Sequence, residues 1–365
     1  MSVAAAPAID QAWLAQVREE TLAWLGRVQR PERTGWFRPA ESGTTAIGRE
    51  MGLGFSCFAL RTRRMLGAWD SPPAQTRDEW VDFIQSYQQP DGEGAFRDEP
   101  ELRYVAQPRS LLTRVADRLR RRPTRPGERA LLLAETKQAI ATLAEIGAQP
   151  ARPFTGFPQT PAEVRAWLER LDWSKPWGAG GQSGALVCFL ATQAPRVLPP
   201  ERAEELLQTC RDFFARLADP ETGAYFRGAR PAHGELINGA MKVLICLDWL
   251  DVRPHYAERL IATTIAEPPQ GRGCHLVDAI YVLHQSIADE ASAGVKDYCL
   301  QVFDQIRPHY HASGGFSFYV GRSQTSYYGV PITRGGNEAD IQGTCLLIWA
   351  VAMIWRIVDP AGARW

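Results

Sequence analysis

The sequence has no excess of either charge: 41 Lys and Arg stand against 41 Asp and Glu in 365 residues. Without a global field, bulk charge recruits neither nucleic acid nor an anionic membrane surface. The one basic run, Arg114, Arg120, Arg121, Arg122, Arg125 and Arg129, reads as a solvated helix end or loop, with a phosphate or lipid patch as the other reading. No Cys-x-x-Cys pair occurs; Cys57, Cys188, Cys210, Cys246, Cys274, Cys299 and Cys345 are odd in number and scattered. That excludes a disulfide frame or zinc knuckle and fits core thiols in a reducing compartment, here expected to be cytoplasmic. Residues 1–13 have neither a basic n-region nor a long apolar h-region, so export is not expected. The longest apolar run, residues 345–358, falls about five residues short of a bilayer span and predicts a buried helix, not a transmembrane one. Strand-like alternation is confined to residues 316–319, which disfavours a sheet-based fold.

What is present is a repeat. Five stretches pair a polar or glycine-rich lead-in with a helix that is apolar nearly all round: residues 49–60 (REMGLGFSCFAL), 180–190 (GGQSGALVCFL), 235–246 (ELINGAMKVLIC), 275–283 (HLVDAIYVL) and 340–349 (DIQGTCLLIW). Helices apolar on all sides are buried on all sides. Between them lie amphipathic segments, residues 76–87, 200–217, 255–265 and 295–306, of the kind that face water on one side. Three turns repeat as well, QPDGEGAFR at 89–97, DPETGAYFR at 219–227 and ASGGFSF at 312–318, each placing glycine before an aromatic that pins the turn. The pattern predicts an all-α fold, an (α/α) toroid or barrel of helical hairpins with inner and outer rings. It is read as one domain over residues 1–365, with a long connection around 98–130. Inner helices are expected to start near Glu50, Gly184, Glu235, His275 and Asp340.

These residues resemble the terpenoid cyclase and protein prenyltransferase toroids. The turn QQPDGEGAF at 88–96 is similar to their Q…G-x-F/W repeat. Asp340-Ile-Gln-Gly-Thr344 resembles both the D-x-D-D-T motif of class II cyclases and the D-x-Y-H-T segment of prenyltransferase β subunits, and Val277-Asp278-Ala-Ile-Tyr281 resembles their V-D-x-C-Y segment. The resemblance implies the toroid fold and a site at the inner-helix starts. At the cyclase acid position stands Gln342, a neutral amide, and at two zinc-ligand positions stand Ile280 and Gly343. A lone Asp278 cannot hold zinc; His275, Asp278, Asp340 and Glu235 could also be read as an N/O metal site, but no metal and no cofactor is expected.

Candidate chemistry then comes from the helix starts themselves. Glu235, Asn238 and Lys242 share one helix face, as do His275 and Asp278. A polar stripe on a buried helix either lines a wet cavity or pairs internally to stitch hairpins together. Asp340, Asp278, His275 and Glu235 are the catalytic candidates, and Asp340 and Asp278 are expected within about 8–10 Å of each other, one helix spacing. Gly239 and Gly343 either leave room for a bulky group or permit tight helix crossing. Trp173, Trp177, Phe316, Tyr319, Tyr327 and Tyr328 suit a carbocation or a sugar, or pack hairpin to hairpin. In the polar segment 321–336, Arg322 and Arg334 suit an anionic substrate group, or pair with Asp340 and Glu338. Gln342, Asn238 and Lys242 complete the binding candidates. The leading reading is an isoprenoid-processing enzyme that cyclises or isomerises an apolar or amphiphilic small molecule by proton transfer. Two alternatives are a carbohydrate-active (α/α)6 epimerase, hydrolase or lyase, and a non-catalytic toroid that binds a ligand or partner.

Overall fold

The computed structural model describes residues 10–107, 127–269 and 273–363. Arg114, Arg120, Arg121, Arg122 and Arg125 of the basic run lie outside the described residues, as does much of the connection expected around 98–130. Arg129 pairs with Glu93 at 2.6 Å. Helices dominate, and the one sheet among the described residues is a two-residue antiparallel pairing of Ser326–Tyr327 with Val330–Pro331. The class is all-α, as the buried and amphipathic segments require. Contacts gather the chain into two compact units, unit 1 formed by Met1–Val17, Pro153–Pro308 and Leu346–Trp365, and unit 2 by Arg18–Arg152 and His309–Cys345.

In unit 1, helix His233–Trp249 packs against Pro176–Thr192 on one side and Cys274–Ser286 on the other. The amphipathic helices cover this row: Pro200–Leu217 lies on Pro176–Thr192, while Ala257–Ile265 and Ala293–Ile306 lie on Cys274–Ser286. The inner helices begin at Pro176, His233 and Cys274. The one displaced start is that expected near Gly184. Pro176 opens the helix instead, because its fixed φ suits the first turn and its missing N–H is not needed there. Gly239 serves tight crossing, not open space: a Cβ there would sit 2.5 Å from the Pro176 Cβ.

In unit 2, the buried helix Leu53–Met65 packs on Ala74–Gln85 and on Glu128–Ala144. The last is a buried helix that the five-stretch reading passes over. The Gly-aromatic turns close as antiparallel bridges, Gln88↔Phe96 and Tyr310↔Phe316 here and Ala218↔Tyr225 in unit 1. A further turn of the same kind, Gln29↔Phe37, carries Gly35 two residues before its aromatic. Phe96, Phe316 and Tyr225 are fully buried, so each ring anchors its turn in the core. Helix Ile341–Val358 starts four residues before the apolar run that announces it. It is therefore long and apolar enough to cross a membrane, with mean hydropathy 1.7, although 67% of it is buried within the fold.

Candidate functional site

Unit 1 brings together six of the residues singled out from the sequence: Trp177, Glu235, Asn238, Lys242, His275 and Asp278. The first-turn position of Glu235 lets its Oε1 accept the Trp177 backbone N–H at 3.0 Å. One turn further along the same face, the Asn238 side-chain nitrogen donates to His275 Nδ1 at 2.5 Å. With Nδ1 accepting, the imidazole proton sits on Nε2; rotation of the amide reverses this and frees Nε2 as a base. Another turn along, Lys242 Nζ stands 4.0 Å from Asp278 Oδ1. Asp278 is 2% exposed and its Oδ2 has no partner. Burial pushes its carboxyl above the ordinary range, against the opposing pull of Lys242 and His275. The Trp177 ring is 43% exposed and lies 6.3 Å from the His275 ring at 39°. Trp173, by contrast, is buried against Phe213 and Phe214 and belongs to the core.

Asp340 is in unit 2 and is held differently. Its Oδ2 accepts the N–H groups of Phe318 at 2.7 Å and Gln324 at 2.9 Å, and its Oδ1 accepts that of Gly343 at 2.7 Å. Burial raises the carboxyl to about 6, with those backbone donors opposing. The geometry is that of an anchor joining loop 316–324 to the start of helix Ile341–Val358. Gly343 is part of the same device, since a Cβ there would lie 2.3 Å from the Phe318 nitrogen; close approach, not room for a ligand, is what this glycine provides. Glu338 is occupied by Ser42 and Gly43. Neither acid is bonded to Arg322 or Arg334, which are both exposed; Arg322 lies 4.7 Å over the Tyr319 ring. Phe316 packs on Tyr310 in the core, while Tyr328 lies against Tyr327 with the rings tilted at 54° and is 39% exposed. Gln342 Oε1 is buried without a partner.

Unit 2 also holds acids that the sequence reading passes over: Asp98, Glu101 and Glu135, all at most 2% exposed. Asp98 Oδ2 accepts the N–H groups of Gly52 at 2.8 Å and Leu53 at 3.0 Å, and Tyr327 donates its hydroxyl to Glu135 Oε1 at 2.8 Å. Asp98 Oδ1, both oxygens of Glu101 and Glu135 Oε2 have no partner. Burial raises all three acids, Asp98 to about 6 and Glu135 to about 8, and mutual repulsion adds to the rise for Glu101 and Glu135. Glu135 therefore keeps its proton near neutrality. Asp98 also forms part of the wall of a cavity of about 350 Å³. Among the described residues, no three His, Cys, Asp or Glu side chains are grouped to hold a metal ion.

No family model matches the chain, and no curated protein matches it in sequence. Solved structures similar to it include a glycosyl hydrolase family 88 protein from Bacteroides vulgatus, at 12% identity and TM-score 0.46, covering 93% of this chain and 99% of that one. Another is the α-1,6-mannanase GH76A from a Salegentibacter species, at 11% identity and TM-score 0.44, covering 93% and 99%. A type II terpene cyclase variant from Scytonema, in complex with merosterolic acid A, matches at 14% identity and TM-score 0.44, covering 94% and 97%. These structures include both the class that the motifs resemble and the carbohydrate-active alternative.

Proposed function

We propose that the protein is a carbohydrate-active acid–base enzyme, working in a reducing, cytoplasmic setting on a hydroxylated small molecule at the Asp278–His275 cluster. The observation that carries this is a buried carboxyl with one free oxygen, set beside a histidine, an asparagine, a lysine and an exposed indole. A ring of C–H groups stacks on such an indole while its hydroxyls meet the polar groups; a hydrocarbon chain would leave them unpaired. In this reading Asp278, biased toward its acid form, gives a proton to a departing or isomerising oxygen, and Lys242 stabilises the carboxylate left behind. His275 Nε2, freed by rotation of Asn238, takes a proton from the attacking water or from the carbon beside that oxygen.

Incubation with a panel of mono- and oligosaccharides in D₂O, read by NMR, tests both turnover and proton exchange. Asp278→Asn should lower turnover at least about a hundredfold with folding retained. The isoprenoid reading is favoured by one feature, the buried acid Glu135 of unit 2, which keeps its proton near neutrality. Cyclised products from squalene or a geranylgeranyl-substituted arene, with no sugar turned over, would replace the carbohydrate reading by that one.

A further inference from the structure

Asp98 and its neighbour Arg97 present an unusual pair of unmet demands. The Arg97 guanidinium is held at its tips by Glu99 at 3.6 Å and Glu128 at 3.8 Å, yet its Nε is buried with no acceptor. Asp98 is held through Oδ2 by Gly52 and Leu53, yet its Oδ1 is buried with no donor. Both residues line the same cavity of about 350 Å³, whose apolar wall comes from Trp36, Phe83, Tyr87 and Pro100. Its charges are mixed, Arg33 and Arg97 against Glu50, Asp98 and Glu99, so no single sign gathers to hold a phosphate or a polycation. The volume suits a ligand of one or two rings.

We propose that this cavity is a binding pocket for a neutral polyol or sugar ring, with Arg97 Nε donating to one hydroxyl and Asp98 Oδ1 accepting from another. A hydroxyl is both donor and acceptor, so the hydroxyls of one ring can serve both groups, and the apolar wall receives the C–H face. Asp98 is joined electrostatically to Glu135. The pocket belongs to unit 2, and its ligand is independent of whether the Asp278 cluster is a catalytic site.

The test is binding to the intact protein of methyl glycosides of glucose, mannose, galactose and xylose, and of myo-inositol, by saturation-transfer NMR and calorimetry. At least one should bind in the millimolar range or tighter. Asp98→Asn keeps an oxygen for Gly52 and Leu53 but turns the free acceptor into a donor, and it should weaken binding at least about tenfold. Arg97→Leu should do the same, which keeps the test decisive should Asp98→Asn fail to fold. Asp278→Asn should leave this binding unchanged. The proposal is overturned if no probe binds, if both pocket variants bind as the wild type does, if binding is lost in Asp278→Asn, or if inorganic phosphate displaces the sugar.

Discussion

Two aspartates at the starts of apolar helices, Asp278 and Asp340, look alike in the sequence and are used differently by their surroundings. Asp340 has both oxygens engaged by backbone N–H groups, whereas Asp278 keeps one oxygen free and meets a lysine only at 4.0 Å. Removing Asp340 orphans the buried N–H groups of Phe318, Gln324 and Gly343 together. Asp340→Ala should therefore cost at least about 3 kcal/mol in urea denaturation, while Asp340→Asn, which retains an acceptor, should cost less. A loss below about 1 kcal/mol for the alanine variant would show that the anchor is not needed. The spacing of Glu235, Asn238 and Lys242 makes their convergence with His275 and Asp278 legible, because one helical face faces one neighbour. Asp340 stands directly before helix Ile341–Val358, so its cap bond to the Gly343 N–H is locally legible; its other two partners come from a loop more than ten residues upstream and leave no local mark.

At the scale of elements, the buried and amphipathic helices follow from hydrophobic periodicity, and Pro200–Leu217 has the bounds that its proline lead-in suggests. Helix Glu128–Ala144 escapes the same reading because Glu135, Thr136 and Gln138 interrupt its apolar surface, although all three are buried. Polar residues inside a packed helix erase the signal by which burial is recognised, and the acids of unit 2 are hidden for that reason. Glycine illustrates how far packing overrides propensity. Gly343 lies against the Phe318 nitrogen, so Gly343→Ala must displace backbone and should destabilise by several kcal/mol, about 2–4. Gly26, in helix Gln11–Val28, has open space around it, so Gly26→Ala should stabilise by about 0.5–1 kcal/mol. Thermal melts of the two variants should move in opposite directions; movement in the same direction would contradict the packing described.

For the molecule as a whole, buried acids and buried histidines set opposite pH dependences. Glu135 ionises at about 8 when folded against an ordinary 4.5, so between these values the folded protein holds a proton that the unfolded chain has lost. Stability from this group therefore falls as pH rises through that window, and Asp98 and Asp340 act likewise up to about 6. His255, His284, His309 and His311 are depressed below 6.5 by burial, so their effect is a loss of stability as pH drops below that value. Above 6.5 the histidines no longer contribute a slope and Glu135 continues to. The Tm should fall between pH 6.5 and 8, and Glu135→Gln should flatten that fall; an unchanged slope in the variant would remove Glu135 as its source. The seven cysteines lead to a different kind of consequence. Six are buried, and burial pushes Cys57, Cys299 and Cys345 up to about 12, so in the native state these sulfurs are neither accessible nor nucleophilic. An alkylating reagent must wait for the chain to open around each one, and the order in which the sulfurs react becomes a clock for which parts of the molecule open first. Cys274, less buried and one residue from His275, is where that clock starts, which ties its earliest tick to the Asp278 cluster.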